Sequence, residues 1–178
     1  MSYSVSIEDL DSLISSWTGW RNHLEWDLIF VLPCWLKAWW LAFGSAASLL
    51  LYVIRQDDTV IGVAPLKVVQ GTASFIGDTT VCDYLDFIIA PGREGGFFNI
   101  LLDTLKAKGI NRLDLELLRP EATVLTSLAG VAKERHYPVS RKVMDVSLEL
   151  DLPDTWDKYL DTLSSKQRHE VRRKLRRL

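Results

Sequence analysis

The sequence contains little of what disulfide, metal or redox chemistry requires. It has two cysteines in 178 residues, Cys34 and Cys82, both in apolar surroundings and without a CxxC spacing. Its three histidines are scattered, without cysteines or carboxylates at metal-ligand spacing. No signal-peptide pattern is present. We therefore expect no metal site, and we expect reduced, buried thiols in a cytoplasmic protein.

Long apolar runs are also scarce, and the longest one is a poor membrane span. Residues 38–54 carry no charge, which only reaches the lower limit for a spanning helix, and the small residues at 44–48 interrupt the run. A buried helix from Pro33 to Phe43 followed by a buried strand explains the run better. The predicted buried face of that helix consists of Trp35, Ala38, Trp39 and Phe43.

The formal charge is only -2, so net charge points to no class of partner. Its distribution is uneven, because residues 166–178 hold seven basic side chains and one glutamate. This run could contact nucleic-acid phosphates, form a solvated helix face, or line a groove for an anionic substrate. The run is short and has no interleaved aromatic residues for stacking on bases, which disfavours nucleic acid.

The clearest local pattern extends from Asp83 to Leu118 and predicts a strand, a glycine loop, a helix and a second strand. Residues 83–90 have the composition of a buried strand, and the segment 91–96 interrupts it. Apolar residues at helical spacing follow, up to a cap at Gly109, and residues 112–118 alternate. A glycine loop before a helix presents backbone N–H groups to which a phosphate can bind.

The other patterns complete an α+β arrangement. The first helix is predicted to begin with Ser6 as its N-cap, residues 18–27 to form a loop, and Pro65 to mark a bulge or an edge. Gly130 is predicted to cap the last helix of this region. The predicted elements are helices 6–17 and 33–43, strands 49–54, 60–69, 72–76 and 83–90, helix 97–108, strand 113–117, helix 122–128 and a strand at 144–150. Hairpins followed by one crossover helix predict a mixed, mainly antiparallel sheet flanked by helices.

The composition changes after Pro153, where two capped amphipathic helices are predicted. Asp154 caps the first and Ser164 with Gln167 caps the second. We therefore divide the chain into a domain at residues 1–152 and a helical extension at residues 153–178. The apolar stripe of the second helix suggests a partner surface, either a second domain or another subunit.

Several of these stretches together resemble the CelD-like GNAT acyltransferases, which are relatives of the FemAB family. They are the tryptophan-rich helix 33–43, Gly62-Val63-Ala64-Pro65-Leu66, Asp83-Tyr84-Leu85-Asp86, and the basic run from Arg168. The resemblance implies a GNAT-like fold and transfer of an acyl group from acetyl-CoA or another acyl-CoA to an amine of a small molecule or glycan. It also implies two GNAT-like halves, with this chain containing the first half and the helical start of the second.

The resemblance assigns the cofactor to the glycine loop. GNAT proteins hold the CoA pyrophosphate on a Gln/Arg-x-x-Gly-x-Gly/Ala loop, and the segment beginning at Arg93 is similar to it, with Arg93, Gly95 and Gly96 as the binding residues. Two departures are expected to oppose binding: Phe98 crowds the sixth position, and Glu94 adds a negative charge. The other interpretation is a turn in which the glycines satisfy backbone geometry.

Asp83, Tyr84 and Asp86 are the candidate substrate-binding residues. One carboxylate would bind an amine or act as a base, and Tyr84 would donate a proton. The two aspartates lie on opposite faces of an ideal strand, however, so an acidic cap at the start of the strand is the simpler explanation. Two functions remain open: an N-acyltransferase, or a non-catalytic GNAT-like module for substrate binding or scaffolding.

Overall fold

A six-stranded mixed sheet organises the first part of the molecule. The structure is a computed structural model that describes residues 2–146 and 150–176. The chain divides into two units, Met1–Arg141 and Lys142–Leu178, and the sheet belongs to the first. The strands are β1 (Tyr3–Glu8), β2 (Ser48–Gln56), β3 (Thr59–Val69), β4 (Thr72–Phe75), β5 (Ile88–Ile89) and β6 (Arg112–Leu113). Their order is β1-β2-β3-β4-β6, with β5 paired to β3, and the β4–β6 pair alone among these is parallel.

Helices cover both faces of this sheet. They are α1 (Leu10–Trp20), α2 (Pro33–Phe43), α3 (Glu94–Ala107) and α4 (Ala129–Glu134), and a π-helical turn at Val124–Leu128 leads into α4. A side chain at Gly62 would touch Phe97 of α3, whereas Lys67 lies over the ring of Trp39 in α2. Because strand positions five residues apart face opposite sides, α3 and α2 lie on opposite faces. This arrangement explains why the centres of β2 and β3 are buried on both sides.

The N-terminal segment differs from its prediction. Residues 3–8 form strand β1 on β2, and the first helix begins at Leu10, not near Ser6. Asp9 is the N-cap, because its carboxylate accepts the Ser12 N–H at 2.7 Å. The helix continues to Trp20, into the predicted loop. Residues 3–8 do alternate between apolar and polar side chains, but the prediction assigns Ser6 and Ile7 to the start of the helix, which they also fit.

Helix α2 has the predicted bounds, with Pro33 in its first turn. Its buried face differs from the prediction, because Pro33, Leu36 and Trp39 are buried while Ala38 and Phe43 are exposed. The i, i+3 spacing of the buried residues directs a narrow stripe towards the sheet. Within the described residues, no helix is long and apolar enough to cross a membrane.

The β2–β3 hairpin is confirmed, and Asp57 and Asp58 have the positive φ angles, 47° and 66°, of a two-residue type I′ turn. The predicted interruption at Pro65 corresponds to a gap on the other side of β3. There β3 pairs with β4 through residues 66–69 and with β5 through residues 62–63. Residues 76–87, which we call the inserted segment, leave the sheet between these two pairings.

Two predicted strands are shorter than expected, and a third lies partly outside the described residues. Only Ile88–Ile89 of the predicted strand 83–90 pairs as a strand, because the inserted segment occupies the preceding residues. The strand predicted at 113–117 is observed at Arg112–Leu113, and the positive φ of Leu117 (62°) is incompatible with a continued ladder. In the strand predicted at 144–150, residues 144–146 are not in a strand, and residues 147–149 lie outside the described residues.

Of the two glycine caps predicted in the first unit, one is confirmed and the other is wrong. Gly109 caps α3 with a φ of 73°, as predicted. Gly130, predicted as a cap, lies inside α4, which continues to Glu134.

The second unit contains α5 (Trp156–Thr162) and α6 (Ser165–Leu175). The predicted capping box of Ser164 and Gln167 is present at the start of α6. Helix α5 is capped by Thr155 and not by Asp154, which forms an ion pair with Lys158 at 3.2 Å. The assignment of residues 153–178 to the start of a second GNAT domain stays a prediction.

Candidate functional site

The first turn of α3 is built to present backbone N–H groups. Arg93 is the N-cap residue, and Glu94, Gly95 and Gly96 form the first turn. The Arg93 carbonyl accepts the Phe97 N–H at 2.9 Å, which starts the helical ladder. The N–H groups of residues 94–96 have no acceptor within the helix, and the helix dipole makes this end positive. The arrangement can therefore hold an anion.

An open cavity of about 420 Å³ adjoins this turn. Its wall is formed by the β2–β3 hairpin, by His23, and by Ala90 and Arg93 before α3. The Arg93 guanidinium reaches Gln56 of the hairpin at 3.4 Å, and its side chain is exposed. Arg93 is therefore available to a ligand that enters the cavity.

The residues of the glycine loop have separate roles. Apart from its chain neighbours and the backbone of its own helix, no heavy atom of the described residues lies within 4 Å of a Cβ placed on Gly95, so this position is open. A Cβ on Gly96 would lie 2.9 Å from the Tyr3 hydroxyl of β1, so Gly96 permits close packing there. The expected crowding by Phe98 is wrong, because this ring is fully buried against Phe87 and Phe97. Phe98 therefore leaves the loop accessible.

Carboxylates surround the same helix end. Glu94 accepts the Gly92 N–H at 3.0 Å and stabilises the turn before the helix. Burial raises the pKa of Glu25, and the charges of Asp27, Glu94 and Asp86 raise it further. Such a negative environment opposes an anionic ligand, in agreement with the expectation for Glu94.

The outer edge of β5 is in contact with the segment that connects α1 and α2. The Glu25 N–H donates to the Ile89 carbonyl at 3.2 Å, and Leu24 beside it is buried in the core. Residues 21–28 therefore lie against the strand that leads into the α3 turn.

Asp86 is hydrogen-bonded through both carboxylate oxygens. Its Oδ2 accepts the Thr123 N–H at 2.6 Å, and its Oδ1 accepts the Thr123 hydroxyl at 2.7 Å and the Phe87 N–H at 2.9 Å. Burial raises the pKa of Asp86, while these hydrogen bonds act in the opposite direction. The contacts fasten the inserted segment to the start of the helical region 124–134.

The other two predicted substrate-binding residues lie along the same segment. Asp83 is exposed, and the half-buried Tyr84 has the Arg119 guanidinium 4.3 Å from its ring centre. Neither residue, nor Asp86, belongs to the described lining of the cavity at Arg93. The structure thus brings Arg93, Gly95 and Gly96 together and places Asp83, Tyr84 and Asp86 elsewhere.

Sequence patterns did not indicate the cavity wall or the contacts of the inserted segment. His23 lies in a stretch without periodicity, and the lining residues of the hairpin are predicted only as a turn at 56–59 and as part of the strand 60–69. Lys67 donates to the Gly77 carbonyl and lies over Trp39, whose indole N–H donates to Asp78 at 2.9 Å. Only the folded chain brings these residues together. Within residues 2–146 and 150–176, no three His, Cys, Asp or Glu side chains are grouped as a metal site.

The fold is that of the GNAT N-acetyltransferases. The structure of AAC(6')-Iy in complex with the bisubstrate analog CoA-S-monomethyl-acetylneamine covers 84% of this chain and 100% of its own chain, with 15% identity and a TM-score of 0.50. The ribosomal-protein-S18-alanine N-acetyltransferase from Escherichia coli covers 76% of each chain, with 16% identity and a TM-score of 0.44. The PaiA N-acetyltransferase from Thermoplasma acidophilum, solved with coenzyme A, covers 83% of this chain and 94% of its own, with 19% identity and a TM-score of 0.42.

These structural similarities concern the fold, and the α+β fold predicted from the sequence is confirmed. No protein-family model matches the chain, and no curated protein matches it.

Proposed function

We propose that this chain is an acyl-CoA-binding domain of an N-acyltransferase of the GNAT superfamily. The observation that carries the proposal is the β5–α3 connection, where Arg93 lines a cavity and immediately precedes a first helical turn that contains two glycines. The N-terminus of a helix presents unpaired N–H groups to which phosphate groups can bind. In this chain that N-terminus belongs to a GNAT fold.

In this proposal, Arg93 and the N–H groups of residues 94–96 hold the CoA pyrophosphate. The reaction is attack of a neutral amine on the thioester carbonyl, formation of an amide bond, and departure of CoA as a thiol. It needs a base for the amine proton and N–H donors for the developing oxyanion. Asp83 and Tyr84 remain the proposed acceptor-side residues. Asp86 is already hydrogen-bonded and would act by holding the segment that carries them.

We further propose membership of the CelD-like, FemAB-related branch, with this chain as the N-terminal half. The motifs at residues 62–66 and 83–86 and the basic α6 support this assignment. The acceptor would be an amine of a small molecule or glycan, and the protein would be cytoplasmic. The second unit would belong to the second GNAT-like half, or would contact another subunit through α5 and α6.

The test is the thermal unfolding of the full chain with and without acetyl-CoA at fixed ionic strength. At a ligand concentration 100 times the dissociation constant, the free energy of unfolding should rise by about 2.7 kcal/mol. Gly95→Gln and Gly95→Glu form a matched pair, because the position is open and the two side chains differ mainly in charge. We expect the shift to persist in G95Q and to fall in G95E and in Arg93→Met.

The absence of a shift in the unchanged protein and in G95Q would contradict the proposal. It would favour the second candidate, a non-catalytic GNAT-like module for substrate binding or scaffolding. The carboxylates around the α3 turn and the contact of residues 21–28 with β5 support that candidate.

A further inference from the structure

We propose that residues 21–28, which we call the strap, close the outer edge of β5 and must leave it when acyl-CoA binds. The inference rests on the proposed function, because it concerns access to the same site. In this proposal, the connection between α1 and α2 makes a contact with β5 that inhibits ligand binding.

The edge that the strap covers follows from the strand register. Ile89 is paired with Gly62 and Ile88 with Val63, and the Ala90 N–H donates to Ile61 at 2.9 Å. Because hydrogen bonding alternates along an antiparallel pair, the peptide groups of Ile89 face away from β3. The Ile89 carbonyl accepts the Glu25 N–H instead, so the strap occupies a hydrogen-bonding position on the outer edge.

An acyl-CoA held at α3 would compete for this position. Only the segment 90–93 separates Ile89 from the α3 turn. The pantetheine arm of acyl-CoA continues from the pyrophosphate and carries two amide groups. An extended chain with amide groups can add to an open strand edge as a peptide does. A ligand anchored at Arg93 and extended along β5 would therefore displace the Glu25 N–H.

The contacts of the strap are compatible with release. Its anchors are Leu24, which is 4% exposed, and Trp26, which meets Trp17 edge-on at 6.4 Å. The indole N–H groups of both tryptophans are buried and have no hydrogen-bond partner among the described residues, which weakens the closed arrangement. Glu25 is exposed and faces the charges of Asp27 on the strap, Glu94 on α3 and Asp86 on the inserted segment.

The strap also forms part of the cavity. His23 lines it together with Arg93 and Ala90, so displacement of the strap would widen the entrance beside the α3 turn. The phosphate-binding end does not depend on this movement, because Arg93 is exposed and lines the cavity with the strap in place.

The experiment compares Glu25→Pro with Glu25→Gln in the full chain. Both variants lose the carboxylate, and only E25P loses the N–H that bonds to Ile89. The probes are acetyl-CoA and ADP, since ADP supplies a pyrophosphate without the pantetheine arm. We expect E25P to bind acetyl-CoA at least three-fold more tightly than E25Q does, with equal ADP affinities. In the unchanged protein, acetyl-CoA should accelerate hydrogen exchange of the Glu25 amide about ten-fold, and ADP should not.

The possible outcomes distinguish a failure of the strap proposal from a failure of the proposed function. Suppose that E25P and E25Q bind acetyl-CoA with equal affinities and that the ligand does not accelerate exchange at Glu25. This result would overturn the strap proposal and leave the proposed function standing. Binding only in E25P would support the strap. No binding in any form would overturn both. If E25P does not fold, the exchange comparison decides alone, and unchanged exchange at Glu25 overturns the strap.

Discussion

At the scale of single residues, the role of Asp86 depends on hydrogen bonds to a residue that is distant in the sequence. Its neighbourhood in the sequence suggested a substrate carboxylate or a strand cap. In the structure both oxygens accept hydrogen bonds, and the main donor, Thr123, is 37 residues away. A partner at that separation leaves no signature near Asp86 in the sequence, whereas the glycine loop at Gly95 is a local pattern.

The contacts of Asp86 predict a stability effect that Asp83 does not share. Asp86→Ala should lower the free energy of unfolding by about 1–3 kcal/mol, because it removes the acceptor for the N–H and hydroxyl of the partly buried Thr123. Asp86→Asn should lower the free energy of unfolding by less than Asp86→Ala does, because the amide oxygen of asparagine still accepts a hydrogen bond. Asp83→Asn, at an exposed site, should stay within about 0.5 kcal/mol of the unchanged protein. Urea unfolding measures all three, and equal effects at positions 83 and 86 would contradict the assignment.

The two loop glycines predict opposite responses to alanine. Gly95→Ala should stabilise the protein by about 0.5–1 kcal/mol, because it adds helix propensity in open space. Gly96→Ala should gain less or destabilise, because its Cβ meets the Tyr3 hydroxyl. In a Tyr3→Phe background the hydroxyl is absent, so Gly96→Ala should recover most of the gain. Chemical denaturation of the four combinations at positions 3 and 96 measures this coupling, and additive effects would show that Tyr3 does not restrict Gly96.

At the scale of elements, periodicity identified the parts with a well-defined buried face. The α2 bounds, the α3 apolar face and the β2–β3 hairpin all followed from local patterns. Strand β1 is absent from the prediction because Ser6 and Ile7 also fit the start of a helix, although residues 3–8 alternate between apolar and polar side chains. The inserted segment was missed because Lys67, Trp39 and Asp78 hold it through contacts between distant parts of the chain.

The carboxylates whose charges act on Glu25 predict a pH dependence. The pKa of Glu25 is raised above its ordinary value of 4.5 in the folded protein, first by burial and then by neighbouring carboxylates. The protonated form therefore favours the fold, and this contribution is present below pH 4.5 and is lost as the pH rises through the raised value. Glu25→Gln should raise stability at pH 7 by on the order of 0.5 kcal/mol, the scale of exposed charge pairs, and by less at pH 4.

Urea unfolding of both proteins at pH 4 and pH 7 tests this sign. A larger gain at pH 4 than at pH 7 would contradict the electrostatic assignment of Glu25.

At the scale of the whole molecule, the fold class was accessible from the sequence and the site only in part. The order of helices and hairpins indicated a mixed, mainly antiparallel sheet, and the structural similarity confirms it. The proposed phosphate-binding turn at Arg93 follows from the glycine loop, a local pattern. The strap on β5 and the cavity wall depend on the tertiary approach of residues 21–28 and 56–61, which no local pattern encodes.

The most direct measurement is a titration of the isotope-labelled full chain with acetyl-CoA, followed by backbone amide NMR. The account predicts that shifts concentrate at residues 94–96, at Ile89 and at Glu25. It also predicts that Gly95→Glu weakens the titration more than Gly95→Gln does. An absence of shifts, or shifts confined to the basic helix α6, would contradict the proposal that this domain binds acyl-CoA.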